Sequence, residues 1–173
     1  MSSIDDNEVD DSVDGGAWRD RVVKRSLEVA TQRSLDRSHA FVNAGLTLVD
    51  RDGDSFTVQD VCDEAGYSMR LFYQYFSGKD DLLVAVLEEA IGRAVKQARE
   101  AAASESDSLR RLAQYLNRAV TPSRTTASRA LARFVIELGR SHPEELARAH
   151  RPQVEFLSEL IDEAVESGAL PPG

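Results

Sequence analysis

With 173 residues, 42% of them apolar, the chain is ample for one core and marginal for two small domains. A single cysteine supplies no disulfide framework, no apolar run reaches membrane-spanning length, and the acidic N-terminus is unlike a signal peptide; the expectation is a soluble, cytoplasmic protein with no membrane partner. The formal net charge of −9 weighs against nucleic acid as a partner only until its distribution is read.

Residues 1–16 hold six acids and no Lys or Arg, so −6 of the −9 sits in one short stretch. That stretch is acidic, free of aromatics and closed by Gly15-Gly16, which is the composition of a disordered tail. From Ala17 the pattern turns helical. Trp18, Val22, Leu27 and Ala30 are apolar, and over residues 17–37 six bases (Arg19, Arg21, Lys24, Arg25, Arg33, Arg37) face three acids. A basic helix is expected over about 17–34, broken near Thr31, its cations placed for phosphates or simply for solvent. A second helix over about 35–50 carries the stripe Phe41, Ala44, Gly45, Leu48 and Val49. The run DRDGDS at 50–55 is a turn.

The stretch 57–79, TVQDVCDEAGYSMRLFYQYFSGK, organises the chain. Thr57 can cap a helix with Asp60 three residues on, and Phe56 and Val61 have the spacing of a hydrophobic staple. Val58, Val61, Cys62 and Ala65 fall on one face, and Gly66 is the natural stop. Ser68 can cap the next helix, with Tyr67 and Phe72 repeating the staple spacing, and Ser77 with Asp80 offers a third capping box. Two short helices joined by a three- or four-residue turn suit a unit that reads DNA. Cys62 reads as a small buried hydrophobe.

Beyond it, a long helix is expected from Lys79 to about Ala103, striped by Leu82, Leu83, Val86, Leu87, Ala90, Ile91, Ala94, Val95 and Ala98. Ser104 to Ser108 is a break. A helix is expected next over about 109–120, Pro122 interrupts at 121–123, and another helix covers about 124–141. Pro143 suits the first turn of the last helix, Pro152 should kink or restart that helix, and Gly168 ends it before Pro171-Pro172. No strand is expected. The fold class is all-α: a three-helix helix-turn-helix domain at the N-terminus, joined by a long helix to an all-helical C-terminal domain.

The segment from about His39 to Leu87 resembles the DNA-binding domain of the TetR family of one-component bacterial transcriptional regulators. The resemblance is carried by Phe41-x-x-Ala44, Thr57-Val58-Gln59-Asp60-Val61, Ala65-Gly66 and, most specifically, Phe72-Tyr73-Gln74-Tyr75-Phe76-x-x-Lys79-x-x-Leu82. It implies a DNA-binding domain over 17–80, with the basic helix as an N-terminal addition. It also implies an effector-binding and dimerisation domain over 81–173, short at its C-terminus because the family usually continues with two more helices. Carried over residue by residue, the helix after Ser68 enters the major groove with Ser68, Met69, Arg70, Leu71 and Tyr73 at its exposed leading part. Arg70 has the fork that matches O6 and N7 of guanine, and Leu71 can meet a thymine methyl. Tyr73, Tyr75 and Thr57 fall where phosphates are held, and Lys79 matches the family's phosphate-contacting lysine. Phe72 and Phe76 read as core.

The partners so implied are double-stranded operator DNA, an unidentified small-molecule effector and a second copy of the chain. Repression relieved by the effector is the expected mode. Tyr115, Phe134 and Phe156 are the aromatic candidates for the effector pocket, each with a core reading beside it. His142 and His150, eight apart across Pro143, are a weak metal signal, and neither metal nor cofactor is expected. No nucleophile elbow, P-loop or Gly-rich nucleotide fingerprint is present, which leaves no enzyme reading. The rival reading is a helical protein-interaction module without sequence-specific DNA binding.

Overall fold

The structure, a computed structural model, describes residues 17–120 and 126–171. The expected tail at 1–16 and the expected break at Pro122 lie outside the described residues. Among the described residues seven helices succeed one another: α1 (Ala17–Asp52), α2 (Val58–Ala65), α3 (Met69–Phe72), α4 (Lys79–Ala102), α5 (Ser108–Val120), α6 (Thr126–Ser141) and α7 (Pro143–Glu166). No strand occurs among the described residues, so the all-α reading holds.

Two expectations need correction. The helix over 17–34 does not break near Thr31; α1 is one helix of 36 residues. A threonine lowers helix propensity by only a few tenths of a kcal/mol, against about 3 for proline. No Gly or Pro interrupts the chain between Ala17 and Ala44, and Gln32 Nε2 donates to Asp36 Oδ1 at 2.8 Å across one turn. Of the two outcomes expected at Pro152, a kink or a restart, the restart does not occur, because α7 runs through it. Proline removes one N–H from the ladder, but Ala149 before it and Phe156 and Leu160 after it are buried in the same apolar cluster. That shared burial keeps both halves of α7 in one element.

The chain divides between Arg37 and Ser38 into two units. In the first, the described residues are helical and almost all exposed, including Trp18 (54%), Val22 (58%), Val23 (56%) and Leu27 (62%). Arg19 lies over the Trp18 ring at 5.4 Å.

The second unit holds two apolar clusters. One gathers Phe41, Ala44, Leu48 and Val49 from α1, Phe56, Val61 and Cys62 around α2, Phe72 and Phe76 around α3, and Leu82, Leu83 and Val86 from α4, with Ala130 from α6. Phe41 is its hub. Its ring meets Phe72 and Phe76 edge-on at 5.4 and 6.3 Å, and Tyr67 and Tyr75 at 5.6 and 6.3 Å. Gly45 lets α1 and α4 approach closely, since a Cβ there would lie 2.7 Å from Val86 Cγ2. The other cluster joins Leu87, Ile91, Val95 and Ala98 of α4 to Leu112, Leu138 and the buried face of α7. The long α4 therefore serves both, its first turns in the helix-turn-helix core and its later turns in the C-terminal core. The end of α7 is closed by Gly168 at φ 74°, with the Leu170 N–H returning to the Ala164 carbonyl at 2.9 Å.

Truncating a fully buried aromatic removes both its transfer free energy and its packing. Phe41→Ala should lower unfolding stability by about 3–5 kcal/mol in a urea titration; a loss under about 1 kcal/mol would mean that Phe41 is not the hub in solution.

Candidate nucleic-acid interface

The helix-turn-helix is built by local hydrogen bonds that the sequence spells out. At the start of α2, the Asp60 N–H donates to Thr57 Oγ1 at 3.3 Å, while the Thr57 N–H and hydroxyl donate to Asp60 Oδ2 at 2.7 and 2.7 Å. This is the reciprocal capping box. The Thr57 backbone N–H, and then its hydroxyl, hold the Asp60 carboxyl below the usual carboxylate range. Phe56 and Val61, the staple pair, are both buried in the first cluster. Gly66 closes α2 in the left-handed region (φ 72°, ψ 27°), which a side chain would strain. Burial pushes the Cys62 thiol up, as a small core residue requires.

Ser68 then caps α3, its Oγ accepting from the Leu71 N–H at 3.3 Å. The helix proper is four residues, Met69–Phe72, and hydrogen bonds from Tyr73, Gln74, Tyr75 and Phe76 back to Met69, Leu71 and Phe72 extend it as turns. Phe72 is fully buried and anchors this short element to Phe41. The third cap differs from expectation. Gly78 occupies the cap position of α4, and it is Asp81, not Asp80, that accepts from the Ser77 N–H at 2.8 Å and from its hydroxyl at 3.2 Å.

With Phe72 inward, Met69, Arg70 and Tyr73 point to solvent, together with Ser68 and Thr57. Tyr73 is 54% exposed, its ring edge-on to Phe72 at 5.3 Å. Gln74 and Tyr67, absent from the predicted set, are exposed in the same segment; each lies within two residues of a predicted one, which was the available signal. Other predicted residues are less open. Leu71 and Tyr75 are half-buried against the first cluster. The one hydroxyl proton of Thr57 is committed to Asp60. The Lys79 ammonium donates to the Asp54 and Phe56 carbonyls and lies 4.4 Å from the centre of the Phe56 ring.

The effector candidates separate into two places. Tyr115 and Phe156 touch edge-on at 5.1 Å in the second cluster, and the Tyr115 hydroxyl donates to the Gln153 carbonyl at 3.2 Å. Burial pushes the Tyr115 phenol up. Arg99 covers Phe156 at 4.5 Å and pairs with Glu159 at 2.9 Å. Phe134 stands between the two clusters and lines two clefts beside α6, of about 350 and 390 Å³. Among the described residues there is no group of three His, Cys, Asp or Glu able to hold a metal, and no helix long and apolar enough to cross a membrane.

Two capped helices set at a tight turn, the second pinned by one buried aromatic and exposing Arg and Tyr, define a helix-turn-helix of the DNA-reading class. Residues 46–86 match the family model for bacterial regulatory proteins of the tetR family. Among curated relatives, it is 43% identical over 51 residues to the uncharacterized HTH-type transcriptional regulator YwcC of Bacillus subtilis, covering 29% of this chain and 23% of that protein. It is 32% identical over 80 residues to the HTH-type transcriptional activator FasR of Mycolicibacterium smegmatis, covering 46% of this chain and 36% of that one. In each case the match spans well under two thirds of the relative. Solved structures share the fold more widely. FadR of Bacillus subtilis in complex with stearoyl-CoA superposes with a TM-score of 0.56 at 18% identity, over 78% of this chain and 74% of that one. Reduced NemR of E. coli gives 0.56 at 21%, over 76% and 72%.

Because Asp60 titrates lower when folded, its contribution to stability is complete above the ordinary carboxylate range and is lost as pH falls through its folded value. An NMR titration should find the Asp60 carboxyl below the ordinary carboxylate range and displaced part of the way upward in Thr57→Ala. An unchanged titration in the variant would show that the hydroxyl arm of the capping box is not formed in solution.

Proposed function

We propose that the protein is a DNA-binding transcriptional regulator that occupies a double-stranded operator as a cytoplasmic homodimer and leaves it when a small-molecule effector binds. The observation that carries this reading is the short helix after Ser68. Its inward residue, Phe72, is locked against Phe41, and its outward residues, Met69, Arg70 and Tyr73, are free to meet base edges and phosphates. Arg70 reads a guanine through O6 and N7, and Tyr73 gives its hydroxyl to a phosphate, with Ser68, Gln74 and the half-buried Leu71 and Tyr75 beside them. Thr57 reaches a phosphate only by giving up its bond to Asp60.

The overall acidity does not oppose this reading, since −6 of the −9 belongs to residues 1–16. The six bases of 17–37 add a positive stretch that can track the DNA backbone. A single recognition helix of four residues reads few base pairs. Two copies, with half-sites about one helical turn apart, supply a site of useful length.

For the effector, the C-terminal cluster is the natural place. The fold is one in which FadR of Bacillus subtilis is described in complex with stearoyl-CoA, so it accommodates ligand control. Of the three aromatic candidates, Phe134 lines open clefts, whereas Tyr115 and Phe156 must part from each other to admit a ligand. Repression by occupying the operator is the simplest output of such a protein. FasR, an activator, shows that a relative can use its DNA contact with the opposite sign.

Arg70→Ala should weaken binding to the preferred operator by about 1–3 kcal/mol and relax the preference at one base position, measured by fluorescence anisotropy on single-substitution duplexes. Unchanged affinity and unchanged base preference would remove Arg70 from base reading. An absence of any preferred duplex in the unsubstituted protein would favour the interaction-module reading.

A further inference from the structure

We propose that the groove on either side of Phe134, between the head of α4 and α6, is an effector site, and that it takes an organic cation with an aromatic body. The proposal deepens the effector reading above and rests on it. Three observations carry it.

The first is shape. Two clefts, of about 350 and 390 Å³, share Asp80, Phe134 and Glu137 in their walls, so they adjoin along one aromatic ring. Each falls within the size of a small-molecule pocket, about 300–1,000 Å³. The walls behind are apolar, with Leu83 and Leu131 in one cleft and Val84 and Leu138 in the other. Phe134 itself is half-buried, packed at the edge of both apolar clusters.

The second is charge. The walls carry five carboxylates (Asp54, Asp80, Asp81, Glu137 and Glu145) and the His142 imidazole, against two cations, Lys79 and Arg133. Both cations are already engaged: Arg133 pairs with Asp54 at 2.9 Å, and Lys79 donates to the Asp54 and Phe56 carbonyls. Asp81 accepts from Ser77. Among the described residues Asp80, Glu137 and Glu145 have no cationic partner. Asp80 and Glu145 lie in the first turns of α4 and α7, where the helix dipole supports an anion. Glu137 lies toward the C-terminal end of α6, where it does not. A cation in the groove gains from these carboxylates and from the face of Phe134 at once. An anion of the same shape is repelled by the carboxylates, and a neutral molecule gains nothing from them.

The third is where the groove leads. Gly53 and Asp54, in the turn before α2, line one cleft. So does Ala130 of α6, which is buried in the DNA-reading core. A ligand lodged between α4 and α6 displaces α6 against the turn that delivers Thr57 as the cap of α2. Occupancy therefore lowers affinity for the operator, and by linkage the operator lowers affinity for the ligand by the same factor.

The test uses tetraphenylphosphonium and tetraphenylborate, which share one shape and carry opposite charges. Calorimetry on the DNA-free full chain should show the cation bound about tenfold more tightly than the anion. Asp80→Asn combined with Glu137→Gln should weaken the cation about tenfold and leave the anion no weaker. Phe134→Leu should weaken the cation about threefold, at a temperature where circular dichroism shows each variant folded. Saturating cation should weaken binding to the duplex that the chain selects from a random pool by about fivefold. Equal binding of the two ions, a preference for the anion, no binding of the cation, or a cation affinity untouched by the carboxylate variant overturns the site. Cation binding with unchanged duplex affinity overturns its role in control. A chain that selects no duplex strikes the DNA-binding reading instead, and the calorimetry still decides the site.

Discussion

The Phe41 ring is the point on which the DNA-reading unit depends. Helix α3 is only four residues long and could not persist alone, since a helix of one turn has not repaid its nucleation. It exists because Phe72 is buried edge-on against Phe41, and because Phe76 and Tyr75 pack around the same ring. The aromatic cluster turns a marginal element into a fixed platform. Any contact the outward residues make with DNA depends on that fixation.

The caps add orientation to anchorage. Thr57 with Asp60 and Ser68 with Leu71 fix where α2 and α3 begin, and Gly66 fixes the angle between them. Behind these local devices lies a layer of long-range ties to the same turn, from Lys79 at the head of α4 and from Arg133 on α6. Ala130 of α6 is itself buried in the DNA-reading core. The C-terminal helices are therefore in physical contact with the turn that supports recognition, which is what ligand control of DNA binding requires. Exposed pairs such as Arg133 with Asp54 contribute little stability of their own, so any signal passes chiefly through the packed residues beside them.

Much of this was legible in the sequence because it is local. The Thr57 to Asp60 box, the Gly66 stop, the Ser68 cap and the inward Phe72 are encoded within a few residues of one another, and spacing alone finds them. The misses have physical causes of two kinds. Spacing cannot choose between adjacent carboxylates, so Asp80 was expected where Asp81 bonds Ser77. Propensity alone misplaces a break at Thr31 and a restart at Pro152, where nearby side-chain bonding and buried residues on both sides outweigh a single poor helix former. The partners of Lys79 were out of reach altogether, because nothing in a sequence says which carbonyls an ammonium will find more than twenty residues away. The separation of Phe134 from the Tyr115 and Phe156 pair is likewise a property of helix packing, which periodicity does not encode.

The central claim is that this platform reads a particular DNA sequence. It is tested most directly by incubating the full chain with a pool of random double-stranded DNA and sequencing what remains bound after several rounds at near-physiological salt. The account predicts enrichment of one motif with two related half-sites about one helical turn apart. Recovery of DNA with no motif above the starting pool would contradict it.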